Sequence, residues 1–585
     1  MKWERWHAVA AAAAIVAAGL VAFGKCGGSS PAADAGVVAE PPARAPDDLL
    51  ADVYVSSPNP SWTRLQRGVG GAVGILPATL PGVLVALTEL DVAFVDEIDG
   101  TAPMFGVLAG DPASPSAAFA MKLVDARRAR RLLADGDVSR FTAKEANGMT
   151  LLLPHTKDAE ARPFELAITQ NGYLVVARDA ADLERLAPYA TRTLPSRPLP
   201  TESAVAVDVP KRALQAVLKP RVESLWGDGK SFLLTQDEQM RAARGRAPDF
   251  GDPAAIVAAL DGLLERRVAI LGDLEKLRVS LEITEDAAVL TATLTPLGGG
   301  GPAERWVDGM KLGDAAPVLA LPTVSALALS MRDGEGDRDE QGKELEKAIA
   351  TSLGPRLKDP GKLHEVIEAL TKARDESLAV ALGLDEPAGL LVRAPVRDAA
   401  AVDTAIRGAF DLTKAEPFKE LLGVRDVTAT SAELPDLGKV AVATVLRVPK
   451  ETKRGADATP RAARGADGGA PAARAASGEA GAAWVVDRGT LSLGAGHEPL
   501  VTLKTGTRPD RTLADEPSLR RFTAAVASDA STVIVAQPLR LDPKRANLPA
   551  APLAIAVGRK GRDAFVRVDI ADGILREAAR WQMGF

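Results

Sequence analysis

The stretch that decides the fold is AAFAMKLVDARRARRLL, residues 117–133, in which a strand pattern changes into a helical pattern at Asp125. A second stretch, GLLVRAPVRDAAAVDTAIRGAF at residues 389–410, changes in the same way at Asp398. Aspartate is a preferred N-cap because its carboxylate accepts the free backbone N–H groups of the first helical turn. The sequence therefore predicts a strand, an Asp cap and a helix in each half of the chain.

Three further features occur twice and in the same order. Each half has a hairpin with a glycine turn, then a strand that runs towards a proline, and then a second hairpin followed by an Arg-Trp pair. Glycine supplies the positive φ that tight turns need. In the first half these features lie at residues 164–177 with Asn171-Gly172 in the turn, at 204–210, at 277–294 and at 305–306; in the second half they lie at 484–493 with Arg488-Gly489, at 533–538, at 553–570 and at 580–581.

Four ordered matches predict an α+β protein of two tandem similar domains, residues 49–302 and 303–585. The strands come in hairpins with helices between them, which favours largely antiparallel sheets with flanking helices over a parallel, doubly wound sheet. Identity between the halves is low, so two unrelated α+β domains of similar composition are the alternative. At about 150 residues per domain, 585 residues would suggest about four domains, and the repeats reduce that number to two.

Residues 450–482 are expected to form a disordered low-complexity loop insertion in the second domain. They consist mainly of Ala, Gly, Arg and Pro, and the matching place in the first half is the short loop 155–163. Surface insertions are tolerated because the entropy of loop closure grows slowly with length. The segment holds six basic and four acidic residues, a balance that favours a solvated loop over a basic binding arm.

The first 26 residues are expected to be a signal peptide or a membrane anchor. Residues 8–23 carry no charge and follow a basic start that contains Lys2 and Arg5. This run is short and alanine-rich, whereas a stable transmembrane helix needs about 20 apolar residues. The basic start predicts that the rest of the chain lies outside the cytoplasm. Residues 27–48 are expected to be a Pro/Ala-rich linker that tethers the domains.

Cys26 is the candidate lipidation site, because a bacterial lipoprotein carries small residues just before a cysteine that becomes its lipidated N-terminus. Gly24 fits that pattern, while Lys25 and Phe23 do not. Ordinary signal cleavage after Gly24 competes with it. Three outcomes stay open: a lipoprotein, an uncleaved anchor and a released protein.

Composition excludes several classes of function. A net charge of −6 gives no reason to expect nucleic acid as a partner, since phosphates call for a basic face. One cysteine excludes an internal disulfide framework and cysteine-based metal centres. No local signature proposes a catalytic, cofactor or metal site, and we predict no enzyme activity and no cofactor. A hydrolase whose active site assembles only in space is the less favoured alternative.

Three weak motifs have simpler explanations. Gly229-Lys230-Ser231 suggests a phosphate loop but follows a helical pattern rather than a strand. Residues 333–340 place acidic side chains at alternate positions, as in a calcium loop, but Arg338 stands where the sharp turn needs glycine. His364 has Glu365 and Glu368 nearby without a zinc-binding spacing. We interpret these as a surface turn, a solvated acidic loop and a surface histidine.

The overall layout resembles uncharacterised bacterial envelope proteins, lipoprotein families of unknown function, in its export segment, linker, hairpins and Asp125 and Asp398 caps. The resemblance carries over no functional residue. It implies an exported, membrane-tethered, non-enzymatic protein of the periplasm or cell envelope with a binding or structural role. The expected partners are the membrane, through the N-terminal segment or its lipid, and an envelope protein. The alternative is a periplasmic carrier of lipid or another apolar ligand. The apolar stretches at residues 68–85 and 315–329 support this alternative.

Overall fold

The computed structural model describes residues 41–69, 76–88, 90–135, 141–154, 164–200, 203–244, 253–353, 357–383, 389–419, 424–447, 479–541 and 551–582. The predicted export segment 1–26, which includes Cys26, most of the linker and residues 450–478 of the predicted insertion lie outside these ranges. Within the described ranges, no helix combines the length and the apolar character needed to cross a membrane.

In the described residues, twenty antiparallel strands and the helices between them make this an α+β protein with extensive antiparallel sheet, as the sequence predicts. The strands, in chain order, are β1 Leu49–Val55, β2 Met104–Asp111, β3 Ser114–Lys122, β4 Phe141–Ala146, β5 Met149–Pro154, β6 Glu165–Thr169, β7 Tyr173–Ala177, β8 Val205–Pro210, β9 Leu274–Ile283, β10 Ala287–Pro296, β11 Ser325–Arg332, β12 Ser377–Gly383, β13 Gly389–Pro395, β14 Val424–Leu434, β15 Gly438–Arg447, β16 Glu479–Asp487, β17 Thr490–Gly496, β18 Ala530–Ala536, β19 Leu553–Lys560 and β20 Asp563–Ala571.

The α-helices range from single turns to a helix of 26 residues. They are α1 Pro58–Val69, α2 Leu80–Leu87, α3 Ala126–Arg130, α4 Ala180–Pro188, α5 Lys211–Ala213, α6 Lys219–Arg244, α7 Pro253–Gly272, α8 Pro302–Gly309, α9 Ala316–Leu319, α10 Glu335–Leu353, α11 Pro360–Ala373, α12 Ala399–Leu412, α13 Pro499–Thr507, α14 Leu519–Val526 and α15 Asp572–Gln582.

The chain forms two compact units whose limits differ from the predicted halves 49–302 and 303–585. Unit 1 contains the described residues up to Gly227, Leu264–Asp314 and the described residues from Pro517 onward; unit 2 contains Asp228–Leu263 and Ala315–Glu516. The last strands belong to unit 1 because β20 pairs with β10 over eight residues, Ala287–Leu294 against Ala564–Ala571. Such a pairing joins residues far apart in sequence, which local patterns do not reveal.

Each unit contains a continuous antiparallel sheet. In unit 1 the strand order is β4-β5-β6-β7-β3-β2-β1-β8-β9-β10-β20-β19-β18. In unit 2 it is β14-β15-β16-β17-β13-β12-β11. Apolar cores lie on both faces of the strands around β1 in unit 1, one around Met104 and Phe94 and the other around Tyr54 and Phe105.

The same pairings occur twice along the chain. Adding ten to each strand number turns the pairs β1–β2, β2–β3, β3–β7, β4–β5, β5–β6, β6–β7, β8–β9 and β9–β10 into eight pairs of the second half. Helix α4 packs on β3, β6 and β7, and helix α13 packs on β13, β16 and β17.

The local features predicted from sequence are confirmed. Asp125 caps α3 by accepting from two backbone N–H groups, and Asp398 caps α12 in the same way. Their backbone angles nearly coincide, with φ −143° and ψ 105° for Asp125 and φ −138° and ψ 105° for Asp398. The turn glycines Gly172 and Gly489 have φ of 78° and 75°.

Two predicted boundaries are wrong by a few residues. The linker 27–48 ends earlier than predicted, because its last residues contact unit 1: Arg185 pairs with Asp48 at 2.6 Å and Thr193 donates to the carbonyl oxygen of Ala43 at 2.6 Å. The insertion 450–482 also ends early, because β16 begins at Glu479 and its first residues pair with β15.

Candidate functional site

A row of exposed leucines crosses three adjacent strands of unit 2. Leu327 on β11 lies opposite Leu382 on β12, which in turn lies opposite Leu390 on β13. Directly opposed residues of antiparallel strands point to the same face of the sheet. Their exposed fractions are 42%, 39% and 39%, which is high for leucines that share one sheet face. We call these three residues the leucine row.

The leucine row continues into an open apolar pocket of about 480 Å³. Ala495 lies opposite Leu390, and Ala482 lies opposite Ala495, so the floor passes onto β17 and β16 with methyl side chains only. Phe410 of α12 and Val445 of β15 also line the pocket. We call the leucine row and this pocket together the apolar groove.

The part of this sheet face that adjoins the groove is covered by helices, in contrast to the exposed leucine row. Helices α11 and α12 cover the neighbouring part of the face, where Trp484 is only 2% exposed and packs with Val402 and Ile406. The Phe410 ring stacks on the Trp484 indole, with centroids 5.9 Å apart and planes 11° from parallel. Helix α12 ends at Leu412, so Phe410 lies near its end and separates the covered core from the groove.

Glycines in the strands under the groove allow close packing on the opposite face of the same sheet. A Cβ at Gly494 would lie 2.5 Å from the backbone nitrogen of Leu503, and a Cβ at Gly389 would lie 2.5 Å from the Thr502 hydroxyl. Leu503 and Thr502 belong to α13, so the glycines allow this helix to approach the sheet closely. The sheet under the groove is therefore supported by α13.

A second, polar pocket of about 250 Å³ lies beside Trp484. The Trp484 Nε1 donates to Asp403 Oδ1 at 2.9 Å, and the Arg407 Nε donates to Asp403 Oδ2 at 2.8 Å. Burial raises the pKa of Asp403, but the hydrogen bonds from Arg407 and Trp484 outweigh it and hold the pKa below its usual value. Lys439 and Ser431 complete the polar part of the lining.

The weak motifs of the sequence do not form sites. Lys230 lies within α6 and pairs with Asp261 at 2.6 Å, so the Gly229-Lys230-Ser231 stretch is helical rather than the surface turn we predicted. The acidic stretch 333–340 begins with buried Asp333, whose carbonyl oxygen accepts a 2.9 Å hydrogen bond from Arg338. Most of this stretch belongs to helix α10, which begins at Glu335, and both Arg338 and Asp333 are buried. The prediction of a solvated acidic loop is therefore wrong for these residues.

His364 is an exposed residue of α11, as predicted. Its Nδ1 lies 2.8 Å from Glu346, and this contact raises the pKa of His364. No group of three or more His, Cys, Asp or Glu residues that could hold a metal ion is found in the described ranges. Cys26, the candidate lipidation site, lies outside them.

Unit 1 contains a buried polar cluster that the sequence did not suggest. Asp52 of β1 is buried, and its Oδ2 accepts hydrogen bonds from Arg197 at 2.8 Å and from the Tyr189 hydroxyl at 3.1 Å. Burial raises the pKa of Asp52, against the opposing effect of Arg197. The neighbouring strand residue Asp208 pairs with Arg278 at 2.6 Å and keeps a lowered pKa through that pair, although burial acts in the opposite direction. Both acidic residues have a basic partner, which is the arrangement expected of structural charges.

Comparison with known proteins adds little to these observations. No protein-family model matches the chain, and no curated protein matches it. A solved structure titled "Structure of crystal form III of TP0453" aligns with 45% of this chain and 96% of its own, at 8% identity and a TM-score of 0.20. A TM-score of that size does not indicate a shared fold.

Proposed function

We propose that the chain is an exported, membrane-tethered protein of the bacterial envelope that binds an apolar ligand, such as a lipid acyl chain, in the apolar groove. It acts as a carrier or binding protein in the periplasm or cell envelope and not as an enzyme. The uncharged run 8–23 and Cys26 support export and tethering. The groove in unit 2 supports the binding role.

The observation that carries the binding role is the chemistry of the groove lining. The described residues that line the pocket beside the leucine row are Gly, Ala, Leu, Val and Phe, and none of these has a charged or hydrogen-bonding side chain. A hydrocarbon chain needs no hydrogen-bond partner, whereas a polar group placed there would lose those it has in water. Each buried methylene stabilises a complex by about 0.8 kcal/mol, so a chain of several methylenes gives useful affinity. The volume lies within the range of small-molecule pockets, about 300–1,000 Å³.

We also propose that the halves 49–302 and 303–585 are tandem copies of one domain, which follow an N-terminal export or anchor helix. The repeated strand pairings, the Asp125 and Asp398 caps and the matching positions of α4 and α13 support a duplication. Superposing the two halves of an experimental structure should bring Asp125 onto Asp398 and β1–β10 onto β11–β20. A different strand correspondence would contradict the duplication.

The binding role predicts that lipid accompanies the purified protein. The full chain would be exported from a bacterial host, extracted with a mild detergent and analysed by native and lipid mass spectrometry. We expect a lipid or fatty acid at close to one molecule per chain that survives exchange into detergent-free buffer. A chain without bound lipid that also fails to take up added dodecanoate would contradict the proposal.

A docking surface for an envelope protein is the second candidate, because the leucine row extends the apolar surface beyond the pocket itself. Exposed apolar patches of this kind mark interaction sites as well as ligand grooves. Crosslinking in cells distinguishes the two. A partner protein captured through Leu327 or Leu390, with no lipid in the purified chain, would favour docking.

A further inference from the structure

We propose that the ligand of the apolar groove is an anionic amphiphile, and that its charged group binds in the polar pocket beside Trp484. This inference rests on the proposed binding role and adds the chemical class of the ligand. Its charged group would be a carboxylate or a phosphate, attached to a single hydrocarbon chain that lies in the groove.

The two pockets are neighbours on one face of unit 2. Helix α12 contributes Ala399, Asp403 and Arg407 to the polar pocket and Phe410 to the apolar one. Spacings of four, four and three residues place these side chains along one edge of a helix. At about 1.5 Å of rise per residue, Asp403 and Phe410 are about 10 Å apart along the axis. A head group and the first part of its chain can span that length.

The strand residues of the two pockets are also close to each other in the sheet. Trp484 and Ala482 are two residues apart on β16 and so point to the same face, with Trp484 in the polar pocket and Ala482 in the apolar one. The stacked Phe410 and Trp484 rings lie where the two pockets meet. Because Trp484 itself is only 2% exposed, a ligand that spans both pockets would pass along the edge of α12, over Arg407 and Phe410.

The charges of the polar pocket favour an anion. Asp403 is the one acidic residue among the described residues of the lining, and both of its oxygens already accept hydrogen bonds, from Trp484 and Arg407. Two cationic residues, Arg407 and Lys439, line the same pocket, which leaves the described part of the lining with an excess of one positive charge. Lys439 is exposed, and none of the described residues pairs with it. Cations that can form charge-assisted hydrogen bonds beside an apolar groove match a carboxylate or phosphate head group.

One acidic residue outside the lining also has to be considered. Glu433 lies opposite Lys439 in the β14–β15 register, so both side chains are on this face of the sheet. It is exposed to solvent, where charge interactions are weak and screened by salt. Glu433 therefore reduces the preference for an anion only slightly, and its removal should increase that preference.

Three probes with the same chain test the head-group preference. Dodecanoate, dodecanol and dodecyltrimethylammonium would be titrated into the full chain by calorimetry, below the concentrations at which they aggregate. We expect dodecanoate to bind about tenfold more tightly than dodecanol and the cationic probe to bind most weakly. Raising the salt concentration should weaken the binding of dodecanoate and leave that of dodecanol unchanged.

Single substitutions test which residues cause the preference for an anionic head group. Lys439→Gln should bring the affinity for dodecanoate close to that for dodecanol, and Glu433→Gln should increase the preference slightly. Lys504→Gln is the matched control, because Lys504 is an exposed residue of α13 on the opposite face of the sheet. Equal binding of dodecanoate and dodecanol to the unchanged protein, or a full preference in Lys439→Gln, would overturn the anionic ligand and leave chain binding intact. Failure of all three probes to bind would instead contradict the proposed function itself.

Discussion

Replacing Leu382 and Leu390 together with glutamate is expected to weaken the binding of dodecanoate about a hundredfold, or by about 2.7 kcal/mol. The two leucines lie opposite each other on β12 and β13 at the mouth of the apolar pocket. The double change removes apolar surface that the chain would bury, and it places two carboxylates where the hydrocarbon has to enter. Calorimetric titration of the double variant measures the loss.

The same substitution should leave the protein folded, because both leucines are more than one-third exposed and contribute little to the core. Val501→Glu is the matched control: Val501 has a similar exposure but lies on α13, on the other face of the sheet. We expect the control to bind dodecanoate as the unchanged protein does. If the double variant also binds within about twofold of the unchanged protein, the ligand does not use the groove.

Replacing Trp484 with alanine is expected to reduce the free energy of unfolding of unit 2 by about 3–5 kcal/mol, the usual cost of deleting a fully buried large aromatic side chain. Trp484 packs with Val402 and Ile406 and stacks on Phe410. Its loss would leave a cavity between the sheet and α12. Because the two units need not unfold together, hydrogen exchange of the β15 and β16 amides is the suitable measurement.

Trp484→Phe separates the hydrogen bond from the packing. Phenylalanine keeps much of the ring contact with Phe410 but cannot donate to Asp403, whose Oδ1 then loses its partner. We expect a smaller cost of about 1–3 kcal/mol. If Trp484→Ala cost less than about 1 kcal/mol, the indole would not be central to this core.

Local chemistry explains why much of the fold could be predicted from the sequence. Asp125 and Asp398 cap helices because a short carboxylate at a helix N-terminus accepts hydrogen bonds from the free backbone N–H groups of the first turn. The Asn171-Gly172 and Arg488-Gly489 turns were predictable because their backbone needs positive φ, which glycine adopts without strain. These signals depend on adjacent residues only.

The parts that could not be predicted depend on residues far apart in the chain. The pairing of β10 with β20 joins segments more than 250 residues apart, and it moves the last strands into unit 1. Leu382 and Leu390 carry the same alternating pattern as core residues, so the sequence alone does not distinguish an exposed row from a buried one. The position of a strand under or beyond a covering helix decides between the two.

The polar contacts could not be predicted from the sequence for a related reason. Asp403 and Arg407 are four residues apart and form an ordinary helical ion pair in sequence terms. Their common neighbour Trp484 lies about 80 residues further on, and only the packing of α12 on β16 brings the three together. The same holds for Asp52 and Arg197 in unit 1, which are 145 residues apart.

Export, the tether and lipidation at Cys26 stay predictions from the sequence.

The central claim is that the apolar groove of unit 2 holds an acyl chain, and site-resolved photocrosslinking tests it most directly. A fatty acid that carries a diazirine in its chain would be irradiated with the full protein, with and without excess dodecanoate, and the labelled peptides identified by mass spectrometry. We predict labels on β12, β13, β16 and α12, around Leu382, Leu390, Ala482 and Phe410, that dodecanoate removes. Labels confined to other parts of the chain, or labels that dodecanoate does not remove, would contradict it.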